Sequence, residues 1–98
     1  LSTIYVDLKK EKTINNLQNA LVKFYKESQF IKVQKINTFI STNNVINTNN
    51  CIISVCKSKH NDKAIILSSI DNLIKGGAGQ GIQNMNILNN FNAKDGLI

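Results

Sequence analysis

Residues 51–70 read CIISVCKSKHNDKAIILSSI. Cys51–Lys57 and Lys63–Ile70 are rich in β-branched and aliphatic residues, and the polar run KSKHNDK joins them. Such a pattern predicts an antiparallel hairpin. Upstream, Leu1–Leu8 (LSTIYVDL) alternates, with Ile4, Val6 and Leu8 on one face, which predicts another strand. Thr13 stands where a helix N-cap belongs, ahead of an apolar stripe of Ile14, Leu17, Leu21, Phe24 and Tyr25. Phe30–Val33 reads as a short strand. Residues 34–50 are polar and Asn-rich, without a clear period apart from Phe39 and Ile40. They predict a long excursion, of the kind that is functional or packed against a partner. Downstream, Asp71–Lys75 leads into Gly76–Gly81 (GGAGQG) and then Ile82–Phe91. Ile82, Met85 and Leu88 lie there at helical spacing and are expected to face a packed surface. The order predicts an α+β fold: a mostly antiparallel or mixed sheet with helices on one face.

Composition narrows the function classes. Ninety-eight residues with 42% hydrophobic content suffice for one core, and 18% charge is too little for a disordered polyelectrolyte. No apolar run approaches the ~18–20 residues of a membrane-spanning helix, and no signal peptide stands at the front. Leu1 opens in what reads as mid-strand, which suggests a fragment. The net charge of +6 comes from twelve lysines and no arginine, scattered and without interleaved aromatics. A nucleic-acid partner is therefore not expected. Cys51 and Cys56 lie an odd number of residues apart on a strand, so their side chains point to opposite faces, which disfavours a bridge between them, and buried free thiols of a reducing cytoplasm are expected. No metal-ligand spacing surrounds them. His60 falls in the hairpin turn and reads as an exposed turn residue.

The glycine cluster follows a strand and precedes a helix, the context of phosphate-binding loops. The dinucleotide spacing fails: its third glycine would fall at Ile82 or at Asn84. No Gly-Lys-Ser/Thr follows either. Two compatible roles remain. The small residues let the helix start pack closely on another backbone, or they admit a ligand's polar edge to the free N–H groups of the helix.

The stretch Ile70–Asn86, IDNLIKGGAGQGIQNMN, resembles the C-terminal signature of the N-acetyl-gamma-glutamyl-phosphate reductase family, I-D-N-L-x-K-G-A-A-G-Q-A-x-Q-N-M-N. Gly77 and Gly81 replace alanines of that pattern. Phe24-Tyr25 with Phe30-Ile31 resembles the family's F-Y-x-x-x-P-F-V. Val45, Thr48–Cys51 and Ile53–Val55 resemble V-x-G-[ST]-N-x-C-x-I-G-V, with Ile46 where a basic residue is common and Asn47 where glycine is. Asn89 and Asn90 replace a Phe-Gly pair, and Asn can take the left-handed conformation that glycine would supply. The resemblance covers essentially the whole chain and about the last third of the enzyme.

The resemblance implies the C-terminal part of a glyceraldehyde-3-phosphate dehydrogenase-like catalytic domain. Residues 1–70 would belong to the catalytic and dimerisation unit. Residues 71–98 would form a loop and helix packing back on a dinucleotide-binding domain. The implied activity is NADPH-dependent reduction of N-acetyl-gamma-glutamyl phosphate to its semialdehyde, in arginine biosynthesis, through a cysteine thioester with a histidine handling protons. Both catalytic residues lie upstream in the family, so none is expected among these residues and the chain alone is expected to be inactive. Partners would be the acyl-phosphate substrate, the rest of the enzyme and further copies in a homo-oligomer. Asn72 is implied as a contact of the nicotinamide end of NADP(H), since its amide donates and accepts; capping of the loop is the competing role. Gly76 would allow close backbone approach, and Lys75 would meet phosphate or remain solvated. The alternative function is a free-standing α+β module for small-molecule binding or dimerisation.

Overall fold

The computed structural model describes residues 1–97. Four strands form a mixed sheet in the order β1-β4-β3-β2: β1 (Ser2–Asp7), β2 (Ile31–Val33), β3 (Cys51–Lys57) and β4 (Lys63–Ile70). The hairpin forms as the sequence predicts, with Cys51 opposite Ile70 and Lys57 opposite Ala64. β1 adds antiparallel to the outer side of β4, placing Ser2 opposite Ser68 and Asp7 opposite Lys63. β2 pairs parallel to β3, Ile31 beside Cys51 and Val33 beside Ile53.

That parallel pairing gives the physical reason for residues 34–50. Parallel strands cannot be joined by a tight turn and need a crossover of roughly a dozen residues or more. The crossover here contains only a short 3-10 turn, Thr42–Asn44. It lies on the sheet face that carries Ile52 and Leu67, and Ile40, Val45 and Ile52 form a buried cluster with Leu67 against it. Ser54 and Ser69 on that face donate from Oγ to the carbonyls of Thr38 and Ser41, so the polar crossover is hydrogen-bonded to the strands beneath it. Cys56 is buried on the same face, Cys51 points to the other, and both thiols are free.

Helix α1 (Ile14–Phe24) covers the opposite face. Thr13 caps it through a reciprocal pair: the Thr13 hydroxyl accepts from the Asn16 N–H, and the Asn16 side chain accepts from the Thr13 N–H at 2.8 Å. Leu17 and Ala20 face Val6 and Leu8 of the β1 end, and Gln18 Nε2 donates to the Gln34 carbonyl at 2.7 Å. Phe24 departs from the apolar stripe: it is 79% exposed, with its ring edge against Tyr25.

After β4 the chain makes a wide π-type turn (Ile74–Ala78) and enters α2 (Gly79–Leu88). The helix forms as expected, but its packing differs from the periodicity argument. Met85 is 51% and Leu88 82% exposed, while the residues buried within α2 are Gly79 and Asn86. The reason is that α2 packs chiefly on the turn that precedes it and not along the sheet, which leaves its apolar side uncovered among the described residues.

Candidate functional site

Asp71 directly follows β4 and organises the turn after it. Its Oδ2 accepts from the Asn47 N–H at 2.8 Å and its Oδ1 from the Leu73 N–H at 2.9 Å. Its backbone carbonyl accepts from the N–H groups of Ile74, Lys75 and Gly76. The amides of Asn47 and Leu73 hold the Asp71 carboxyl below the ordinary carboxylate range. The loop cap is thus Asp71 and not its neighbour.

Asn72 is correspondingly free. Its side chain is exposed and makes no hydrogen bond among the described residues. It borders a cleft of about 390 Å³, together with Thr42, Ile46, Asn47 and Leu73. A β-carbon at Gly76 would stand 2.5 Å from Asn72 Oδ1, so the bare α-carbon of Gly76 is what lets the Asn72 amide lie across the turn. Asn47 adopts φ 60°, the left-handed conformation that Asn tolerates and glycine supplies more readily.

Lys75 turns inward. Its Nζ donates to Gln83 Oε1 at 2.8 Å and sits 5.1 Å from the centre of the Phe30 ring. Burial lowers its pKa, against a smaller opposing influence of Cys51. The same Gln83 oxygen accepts from Asn49 Nδ2 at 2.9 Å, and Asn49 is 1% exposed. Asn49 Oδ1 is buried without a partner among the described residues. Asn86, also buried, donates to the carbonyls of Ala93 and Asp95 and ties the chain end to α2.

Asn72 and Gly76 therefore meet at one surface, while Lys75 belongs to an interior network. Sequence reasoning missed Asp71, Asn49 and Gln83 as members of the site. The signal was present, because all three stand inside the quoted motifs, but their roles depend on contacts between segments far apart in the chain. Chemically, the arrangement offers neutral amides for orienting a polar ligand. Among the described residues no trio of His, Cys, Asp or Glu could hold a metal ion.

Residues 1–72 match the family described as semialdehyde dehydrogenase, dimerisation domain. The chain is 44% identical over 88 residues to the N-acetyl-gamma-glutamyl-phosphate reductase of Thermoanaerobacter pseudethanolicus, covering 90% of the chain and 26% of that relative. It is 41% identical over 97 residues to the reductase of Staphylococcus aureus and 43% over 97 to that of Clostridium botulinum, covering 99% of the chain and 28% of each relative. The matched segment is the C-terminal part of those proteins, so the chain spans about a quarter of the length of the curated relatives it matches. The match over residues 1–72, on a mixed sheet bearing the Asp71-capped loop, places this chain in the semialdehyde dehydrogenase dimerisation-domain family.

Proposed function

We propose that this chain is the C-terminal part of a cytoplasmic enzyme that reduces N-acetyl-gamma-glutamyl phosphate to its semialdehyde with NADPH, in arginine biosynthesis. The observation that carries the reading is the free amide of Asn72 at the end of β4, inside a stretch that matches the reductase signature from Ile70 to Asn86. Residues 1–70 serve the catalytic and dimerisation unit, and residues 71–98 dock on the dinucleotide-binding part of the protein.

The residues present fit the nicotinamide end of such a cofactor. An exposed carboxamide with both its oxygen and its nitrogen unengaged matches a second carboxamide hydrogen for hydrogen. The bound cofactor supplies hydride to an acyl group held on a cysteine elsewhere in the protein. Asn72 orients the ring so that one face is presented. Gly76 keeps the space into which the Asn72 side chain folds, and Asp71 holds the loop that carries both. Lys75 serves the loop from inside, within hydrogen-bonding distance of Gln83.

The test is the activity of the complete protein that carries this chain. Loss of NADPH absorbance with N-acetyl-gamma-glutamyl phosphate, weaker with NADH, is the expected result. Turnover with aspartyl phosphate alone would make the protein an aspartate-semialdehyde dehydrogenase instead. Absence of turnover on either acyl phosphate would leave a dimerisation or small-molecule-binding module as the function.

A further inference from the structure

We propose that Gln83 is a positioning residue, whose side-chain carbonyl ties the loop bearing Asn72 to the sheet through Lys75 on one side and Asn49 on the other. The inference rests on the reading of Asn72 as a cofactor contact and adds the device that holds it.

Three observations carry it. First, one oxygen, Gln83 Oε1, accepts from both Lys75 Nζ at 2.8 Å and Asn49 Nδ2 at 2.9 Å. Asn49 lies two residues before β3 and is 1% exposed, so its end of the link is fixed by the fold. Second, Lys75 belongs to the same turn as Asn72, its backbone N–H bonded to the Asp71 carbonyl at 2.9 Å. A movement of Lys75 is therefore a movement of the turn that presents Asn72. Third, the Lys75 ammonium is half-buried over the buried Phe30 ring, and no carboxylate pairs with it among the described residues. It has exchanged part of its water for one amide oxygen and a ring face.

Removing the Gln83 oxygen leaves that ammonium short of a partner, and leaves the buried Asn49 amide with neither end satisfied. Both are unfavourable where water is scarce, and the first is relieved when Lys75 swings outward to water. The turn would follow, and Asn72 with it.

The experiment uses the complete protein and the variants Gln83→Leu, Gln83→Glu and Asn72→Ala, alone and combined. NADPH affinity is read by fluorescence titration, and amide hydrogen exchange across residues 72–78 is read without cofactor. Gln83→Leu should weaken NADPH by about tenfold, as the loss of roughly one such hydrogen-bond partner implies, and should speed exchange across the turn. Gln83→Glu, which keeps an acceptor, should recover most of both. Gln83→Leu added to Asn72→Ala should weaken NADPH no further. Wild-type exchange in Gln83→Leu, or a loss of affinity that adds in full to that of Asn72→Ala, overturns the inference. If Asn72→Ala alone leaves NADPH affinity unchanged, the cofactor reading of Asn72 fails, and the exchange comparison still decides the tether. Should Gln83→Leu not fold, Lys75→Met removes the link from its other end; unchanged exchange there would also overturn it.

Discussion

A β-carbon added at Gly79 would run into Asn49 Oδ1 and would stand 2.6 Å from both Ile74 Cγ2 and the Ile74 carbonyl oxygen. At Gly81, two residues later, it would meet nothing within 4 Å. The two glycines therefore predict opposite outcomes. Gly79→Ala should destabilise the complete protein by about 1–3 kcal/mol, the usual cost of overpacking. Gly81→Ala should be neutral or stabilising by up to about 1 kcal/mol, since alanine is the better helix former. Melting temperatures of the two variants check the pair. The contrast also makes sense of the resemblance: Gly77 and Gly81, which replace alanines of the reductase pattern, lie where a β-carbon has room, whereas at Gly76 it would displace the Asn72 amide and at Gly79 it would meet the Ile74 backbone. Asn72 is the residue on which the proposed chemistry turns. Losing its amide removes a hydrogen bond and strands its partner, about 1–3 kcal/mol together. Asn72→Ala should thus lower kcat/KM for NADPH by roughly one to two orders of magnitude. Its melting temperature without cofactor should change little, because Asp71 does the capping. Unchanged kinetics with a large loss of stability would return Asn72 to a structural role.

Among the elements, the loop after β4 has a pH dependence whose sign follows from Asp71. Its carboxyl is held below the ordinary range by the N–H groups of Asn47 and Leu73, so the ionised form is the one the fold prefers. The stability it contributes is fully present above the ordinary aspartate pKa and is lost as pH falls through the lowered folded value. Hydrogen exchange at Asn47 and Leu73 should accelerate over that acidic window, and Asp71→Asn should remove the dependence. Helix α1 makes a simpler case: Thr13→Ala should cost about 1 kcal/mol through loss of its N-cap. Where local chemistry governs, the sequence was readable. The hairpin, the Thr13 cap and the left-handed turn at Asn90 (φ 58°) after α2 are each set by residues close to one another in the chain. Where long-range pairing governs, it was not. Nothing in residues 34–50 announces that β2 runs parallel to β3, yet that pairing is what makes the segment a crossover. The apolar spacing of Ile82, Met85 and Leu88 identified a helix correctly but not what covers it, since periodicity reports which face is apolar and not what lies opposite. The Asn49–Gln83–Lys75 link was invisible for the same reason.

As a molecule, the chain carries more surface than its mass explains. A compact monomer of 10.9 kDa exposes ~5,600 Å², against 6966 Å² here. Its radius of gyration is 15.0 Å, where ~13 Å is usual for this length, and it extends 44 × 25 × 17 Å. Large apolar side chains lie on that surface, with Leu73 and Leu88 more than four-fifths exposed and Tyr5 three-quarters exposed. The isolated chain should associate with rising concentration in sedimentation velocity, bind a hydrophobic dye, and show no NADPH oxidation with acyl phosphate. A monodisperse, dye-silent monomer would contradict the first two expectations, and turnover above a buffer blank the third. The pairing of β1 with β4 bears on how such a protein is made. Ser2 finds its partner at Ser68, and Asp7 at Lys63. A ribosome adds ~5–20 residues per second, so the strand emerges seconds before its partner exists. During that interval Ile4 and Val6 sit in an unpaired, β-prone segment of nascent chain, open to any other strand in reach. The hairpin of β3 and β4, by contrast, closes as soon as it is synthesised. Of these four strands the first to be translated is the last to find its partner, so Ser2–Asp7 is the segment on which a chaperone acting on this sheet would work.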